Sequence, residues 1–105
     1  MIAVTAEFRI NEGKEDEAIA AIEKLVAAVN ESEPGTLMYT WHRGIKDAAQ
    51  VLVYEQYEDE EAMKVHSAGA SGPHLAEFQK AFAAGVFDPS SVKIARFGKI
   101  AEISR

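Results

Sequence analysis

Glu55 and His66 are the residues of this 105-residue chain best suited by type and setting to move protons. Glu55 stands in the run Leu52-Val53-Tyr54-Glu55-Gln56-Tyr57, a carboxylate among apolar and aromatic neighbours. Burial in such company disfavours the charged form, raises the pKa and makes a better base near neutral pH. His66 follows on a short helical segment, and imidazole titrates near neutrality and passes protons in either direction. The two groups can act together if the strand and the helix that carry them face one hollow. Plainer roles stand beside this one. Glu55 can pair with Arg43 or Arg96 from a neighbouring strand or with a partner subunit, and an inward histidine can be hydrogen-bonded core.

His74 is a third candidate, either at a pocket mouth or simply opening its helix. His42 faces opposite to Trp41 and has no nameable partner. Phe8, Tyr39, Trp41, Tyr57, Phe78 and Phe82 are core residues by default. Together they are also the walls expected of a pocket for a planar ring, which needs apolar sides and few polar groups.

Other chemistries find little support. There is no cysteine, hence no disulfide, thiolate metal site or Cys nucleophile. The three histidines lie far apart and have no close-spaced ligand partner, so no metal is expected, although a His/carboxylate iron site stays open. No Gly-x-Gly-x-x-Gly, phosphate loop or Gly-x-Ser-x-Gly elbow occurs, leaving flavin, nicotinamide and serine-nucleophile chemistry without a motif. The net charge of −6 argues against nucleic acid, whose phosphates call for a Lys/Arg surface. No apolar run approaches the roughly 18 residues of a membrane span. The N-terminus lacks a signal-peptide pattern. The expected location is the cytoplasm.

Residues Ile2 to Ile10 alternate, with Ile2, Val4, Ala6, Phe8 and Ile10 on one side, as a half-buried strand does. From Lys14 to Asn30 the period becomes helical, with Ala18, Ile22, Leu25 and Val29 on one stripe. Glu33-Pro34-Gly35 breaks that helix, Gly35 being free to take a positive φ. A second strand runs from Leu37 to about Arg43, with Leu37, Tyr39 and Trp41 on one face. Gln50 to Tyr57 is a third strand, apolar on both faces and hence expected in the middle of a sheet.

Asp59 is a good N-cap for a helix from Glu60 to about Ser67, whose Ala62, Met63 and His66 share its inward side. The glycine-rich stretch 68–72 interrupts the helix as a kink or a mobile lid. Pro73 restarts it at a first-turn position. Asp88-Pro89-Ser90-Ser91 reads as a loop and Val92 to about Ile103 as a long last strand open to pairing with a second chain.

The order β-α-β-β-α-β, with the second helix split, defines an α+β, ferredoxin-like antiparallel sheet with helices on one face, in a single domain over 1–105. The other sheet face carries Met38, Leu52, Tyr54 and Phe97, too apolar to stay wet. A second copy of the same sheet is the economical cover.

This element order, the Glu33-Pro34-Gly35 turn, the Tyr54-Glu55-Gln56-Tyr57 strand end and the acidic helix with Ala62 and His66 resemble the antibiotic biosynthesis monooxygenase family of dimeric α+β barrels. The resemblance spans nearly the whole chain. It implies a homodimer with a pocket in each subunit between sheet and helices. The family includes cofactor-free quinol monooxygenases, anthrone-type oxygenases, haem-degrading enzymes and an isomerase of a phosphorylated sugar signal. Gly69 stands where relatives commonly have Ser, and Tyr57 where they often have Trp. The haem-degrading pattern is not met: Phe8 and His66 fall at its Asn and Trp positions, and only His74 matches its iron ligand.

The resemblance thus implies a cofactor-independent monooxygenase that oxidises a small aromatic hydroquinone or polyphenol with O2, with His66 and Glu55 catalytic. A small-molecule carbonyl isomerase and a non-catalytic ligand-binding dimer are the alternatives.

Overall fold

A computed structural model of the chain describes residues 1–68 and 72–105, the side chains of Pro73 and His74 excepted. The kink or lid expected at 68–72 falls, at 69–71, outside the described residues. Seven elements follow in order: β1 (Ile2–Ile10), α1 (Glu15–Ser32), β2 (Thr36–Arg43), β3 (Gln50–Tyr57), α2 (Glu60–Ser67), α3 (Pro73–Ala83) and β4 (Phe87–Gly98). The strands form one antiparallel sheet in the order β2-β3-β1-β4. This is the ferredoxin-like α+β fold with its helices on one face, and β3 is an inner strand.

Each element follows from local chemistry. The alternation in β1 buries Val4, Phe8 and Ile10 beneath the helices, while Glu7 and Arg9 stay exposed. The same period in β3 buries Val51, Val53, Glu55 and Tyr57 on that face. The α1 stripe brings Ala18, Ile22, Leu25 and Val29 onto them. Full burial of one such large apolar side chain contributes roughly 1.5–3 kcal/mol. Asp59 caps α2, its side chain accepting from the Ala62 N–H at 2.9 Å, which satisfies an otherwise unpaired helix-end donor. Gly85, at φ 83°, ends α3 in the left-handed region that glycine enters without a steric cost.

The structure differs from the sequence expectation at four places. Gly35 is not a positive-φ glycine; a Cβ there would stand 2.6 Å from the Ala62 Cβ, so close packing of α2 is what excludes a side chain. Residues 88–91 are not a loop between elements but a bulge inside β4, across which the β1 partner changes from Lys93 (opposite Glu7) to Asp88 (opposite Arg9). Pro89 has no N–H for a ladder, and Ser91 compensates by accepting the Arg9 N–H on its hydroxyl at 2.9 Å. The last strand begins at Phe87 and ends at Gly98, not Ile103, because Gly98 lies opposite Ile2 and β1 offers no further partner. At the N-terminal end of β2 the register shifts between Thr36 and Met38, and Leu37 beside this bulge is half exposed.

Candidate active site

The site begins where α1 stops. The Glu33 N–H caps the helix on Val29 O at 3.0 Å, and its side chain turns inward, leaving the residue 3% exposed. The Thr36 hydroxyl donates to Glu33 Oε1 at 3.0 Å. The Glu58 N–H donates to Gly35 O at 3.0 Å, tying this turn to the segment that leads from β3 into α2. With no side chain on Gly35, Ala62 of α2 packs directly against the turn. His66 follows one helical turn after Ala62 on the same side and is thereby delivered to the buried acid.

His66 stands between two carboxylates. Its Nδ1 is 2.7 Å from Glu33 Oε1, a charge-assisted hydrogen bond. Its Nε2 is 3.7 Å from Glu55 Oε1, beyond hydrogen-bond length but within ion-pair reach. Glu55 in turn accepts a short hydrogen bond from the Tyr57 hydroxyl. The Tyr39 and Tyr57 rings flank the imidazole at centroid distances of 5.2 and 5.6 Å. Glu55 thus pairs with neither Arg43, whose Nε donates to Ala48 O, nor Arg96, which lies 3.5 Å from Glu60.

Burial is the main cause that pushes the Glu55 carboxyl above its ordinary pKa. The Tyr57 hydrogen bond and the His66 charge pull the other way, and the Glu33 charge adds to the rise. Burial also holds the Tyr57 and Tyr39 phenols well above their ordinary range, reinforced by the hydrogen bond to Glu55 in the first case and by the Glu55 charge in the second. Both tyrosines therefore stay neutral donors at physiological pH. The Trp41 indole N–H is buried with no acceptor in hydrogen-bond geometry among the described residues. It nonetheless lies close enough to Tyr39 to favour that phenolate weakly.

Glu55 and His66 line one hollow of about 230 Å³ between the sheet and the helices. Tyr39, Trp41, Phe78 and Phe82 supply aromatic wall, and Val92 and Ile94 close it from β4. Phe8 lies at its floor, 4% exposed, with its ring 5.6 Å from Trp41 and 5.2 Å from Phe87. Tyr57 is not in the wall; it is 1% exposed and stands behind Glu55. His74 lies in the first turn of α3, and its side chain is outside the described residues. His42 is on the outer face, its Nε2 2.9 Å from the Thr40 hydroxyl. A larger groove of about 550 Å³ runs between α1 and β2, but its lining has neither an imidazole nor a buried acid. Chemistry, not size, singles out the smaller hollow.

Glu33 is a site residue that the sequence does not single out beyond its place in a helix-breaking turn. One signal was present: an acid at a helix C-terminus opposes the macrodipole, so something else must hold it there.

A one-sided α+β sheet with a polar pair set into an aromatic hollow is the class of small, ferredoxin-like pocket proteins. A model of the antibiotic biosynthesis monooxygenase family matches residues 1–84, and the chain belongs to that family. Solved structures agree on the fold. PA3566 from Pseudomonas aeruginosa is 25% identical, with a TM-score of 0.71 over 95% of this chain and 94% of that one. Rv0793 from Mycobacterium tuberculosis is 16% identical, with a TM-score of 0.78 over 98% of each chain. A further structure, an antibiotic biosynthesis monooxygenase, is 20% identical, with a TM-score of 0.81 over 96% of this chain and all 100% of that one. No curated protein matches the chain.

Proposed function

We propose that the protein is a cofactor-independent monooxygenase that oxidises a small aromatic hydroquinone or polyphenol with O2. The carrying observation is that His66 and Glu55, whose Nε2 and Oε1 are 3.7 Å apart, both line one aromatic hollow. At about 230 Å³ it is smaller than the roughly 300–1,000 Å³ of drug-sized sites, which suits a compound of one or two rings. Among the described residues no Lys or Arg lines it, which favours a neutral substrate over a phosphorylated or carboxylated one.

In the proposed reaction His66 Nε2, with Glu55 beside it, takes the proton of a substrate hydroxyl. The phenolate gives one electron to O2, forming superoxide and an aryloxyl radical. These recombine through a new C–O bond at a ring carbon that bears hydrogen, and the imidazolium supplies the proton of the hydroperoxide. The same carbon then loses its hydrogen as a proton to the base, and its electron pair forms the C=O bond as the O–O bond breaks. The departing hydroxide takes that proton back and leaves as water. One hydroquinone and one O2 thus give one hydroxyquinone and one water. The substrate is the only reductant, and the reaction draws on neither metal nor organic cofactor. The protein's share is proton transfer, orientation and a dry cavity.

The reading includes a cytoplasmic homodimer. Supporting it, the outer sheet face exposes Met38 and Leu52 at 42% and 38% and Phe97 at 52%. Among the described residues no helix is long and apolar enough to cross a membrane.

A second reading, proton-shuttling isomerisation of a small carbonyl compound, draws on the same observation of two proton carriers on one wall. The deciding experiment is oxygen consumption with simple quinols, aerobic and anaerobic, in the wild type and His66→Ala. The oxygenase consumes one O2 per quinol and loses about 10²–10⁴-fold in rate in the variant. Equal rates for the two proteins would remove His66 from the reaction, and turnover without O2 uptake would favour isomerisation.

A further inference from the structure

Glu33 does not line the hollow, yet it holds the imidazole that does. Its Oε1 meets His66 Nδ1 at 2.7 Å and also accepts the Thr36 hydroxyl at 3.0 Å, so the carboxylate is held from two sides. The backbone beneath it is fixed as the cap of α1. The other imidazole nitrogen points toward Glu55 across 3.7 Å, too far for a direct hydrogen bond. A neutral imidazole carries one proton, and the hydrogen bond made by one nitrogen decides the role of the other. A carboxylate at Nδ1 can only accept, so the proton sits on Nδ1 and the lone pair on Nε2, the nitrogen on the Glu55 side.

We propose that Glu33 is a positioning residue, the acid that fixes His66 as the Nδ1–H tautomer and aims basic Nε2 at the substrate. The catalytic part of this inference rests on the function proposed above; the tautomer part does not. Among the described residues, the titratable groups facing His66 are Glu33 from the end of α1, Tyr39 from β2, and Glu55 and Tyr57 from β3. Of these Glu33 alone lies within hydrogen-bond length of Nδ1 among the distances above. When His66 takes a proton, the same carboxylate holds the imidazolium in place, so no reorientation is needed between the two proton transfers.

The test is nitrogen NMR of His66 in the ¹⁵N-labelled protein, at a pH where the imidazole is neutral, joined to steady-state kinetics with a simple quinol. The wild type shows a protonated Nδ1 and an unprotonated Nε2. Glu33→Ala moves the proton to Nε2 and lowers kcat at least tenfold with KM unchanged. Glu33→Gln, whose amide oxygen can still accept from Nδ1, keeps the wild-type tautomer and recovers part of kcat. A merely structural acid would lower stability and leave both the nitrogen shifts and kcat of the folded variants where they were. An Nε2–H tautomer in the wild type overturns the proposal whether or not either variant folds. A wild type inert toward every quinol tested removes the oxygenase function, while the tautomer still stands or falls on the NMR.

Discussion

Gly35 and Ala62 are in contact so tight that a Cβ on the glycine would stand 2.6 Å from the alanine Cβ. That contact sets the distance between the end of α1, which carries Glu33, and α2, which carries His66. The site therefore depends on an atom that is missing from the sequence. Gly35→Ala is expected to destabilise by about 1–3 kcal/mol, as overpacking does, and to lengthen the Glu33–His66 separation. Ala62→Gly in the same chain should restore both. Urea denaturation of the two single variants and the double variant measures the coupling, and strictly additive effects would show that the contact is relaxed elsewhere.

Tyr57→Phe removes the donor to Glu55 and nothing that lines the hollow. The expected cost is about 0.5–1.5 kcal/mol in denaturant unfolding. The Glu55 pKa should rise further, because that hydrogen bond favours the carboxylate. Carbonyl-carbon NMR of Glu55 during a pH titration reads the shift directly; a fall would contradict the hydrogen bond's direction.

Burial raises the Glu55 pKa in the folded protein above its ordinary 4.5. The native state then holds this proton more tightly than the unfolded chain does. Its contribution to stability is full below pH 4.5 and is lost as pH rises through the elevated native value. Glu55→Gln does not titrate. The stability of the variant relative to wild type should therefore climb with pH across that window and level off above it. A difference that shrinks with rising pH would mean that the carboxylate is stabilised in the fold.

Phe8 lies 4% exposed at the centre of an aromatic group with Trp41, Phe78, Phe82 and Phe87. Phe8→Ala should cost about 3–5 kcal/mol, mostly through the cavity it leaves. The variant would lose any activity through unfolding rather than chemistry. The remaining folded fraction, counted by near-ultraviolet circular dichroism, should keep its activity per molecule within a few-fold if Phe8 is only the floor.

The outer sheet face supplies a test of the homodimer. Phe97 is 52% exposed there, and Phe97→Glu would set a charge into any face-to-face sheet contact. Sedimentation equilibrium should show a dimer for the wild type and a monomer, or a dimer weakened at least a hundredfold, for the variant. Monomeric wild type at micromolar concentration would end the proposal of a paired sheet.

Much of this molecule is local and so was legible in the chain. Val4, Phe8 and Ile10 announce a half-buried strand because side chains alternate with period two, and Asp59 announces a helix start because its carboxylate can take the Ala62 N–H. His66 could be assigned to the inward side of α2 from its spacing to Ala62 alone. The bulge at 88–91 was not legible, since a Pro-Ser-Ser segment looks like any loop until Ser91 is seen accepting from Arg9 across the sheet.

The sequence by itself determined the element order, the burial of Glu55 and the presence of a histidine facing the same interior. Those follow from periodicity and capping, which act between residues a few positions apart. Only the tertiary structure decided which groups those two residues meet. Glu33 and His66 lie 33 positions apart and touch at 2.7 Å because a glycine with no side chain lets α2 settle onto the end of α1. Such a contact is a balance of packing between distant segments, and no window along the chain contains it.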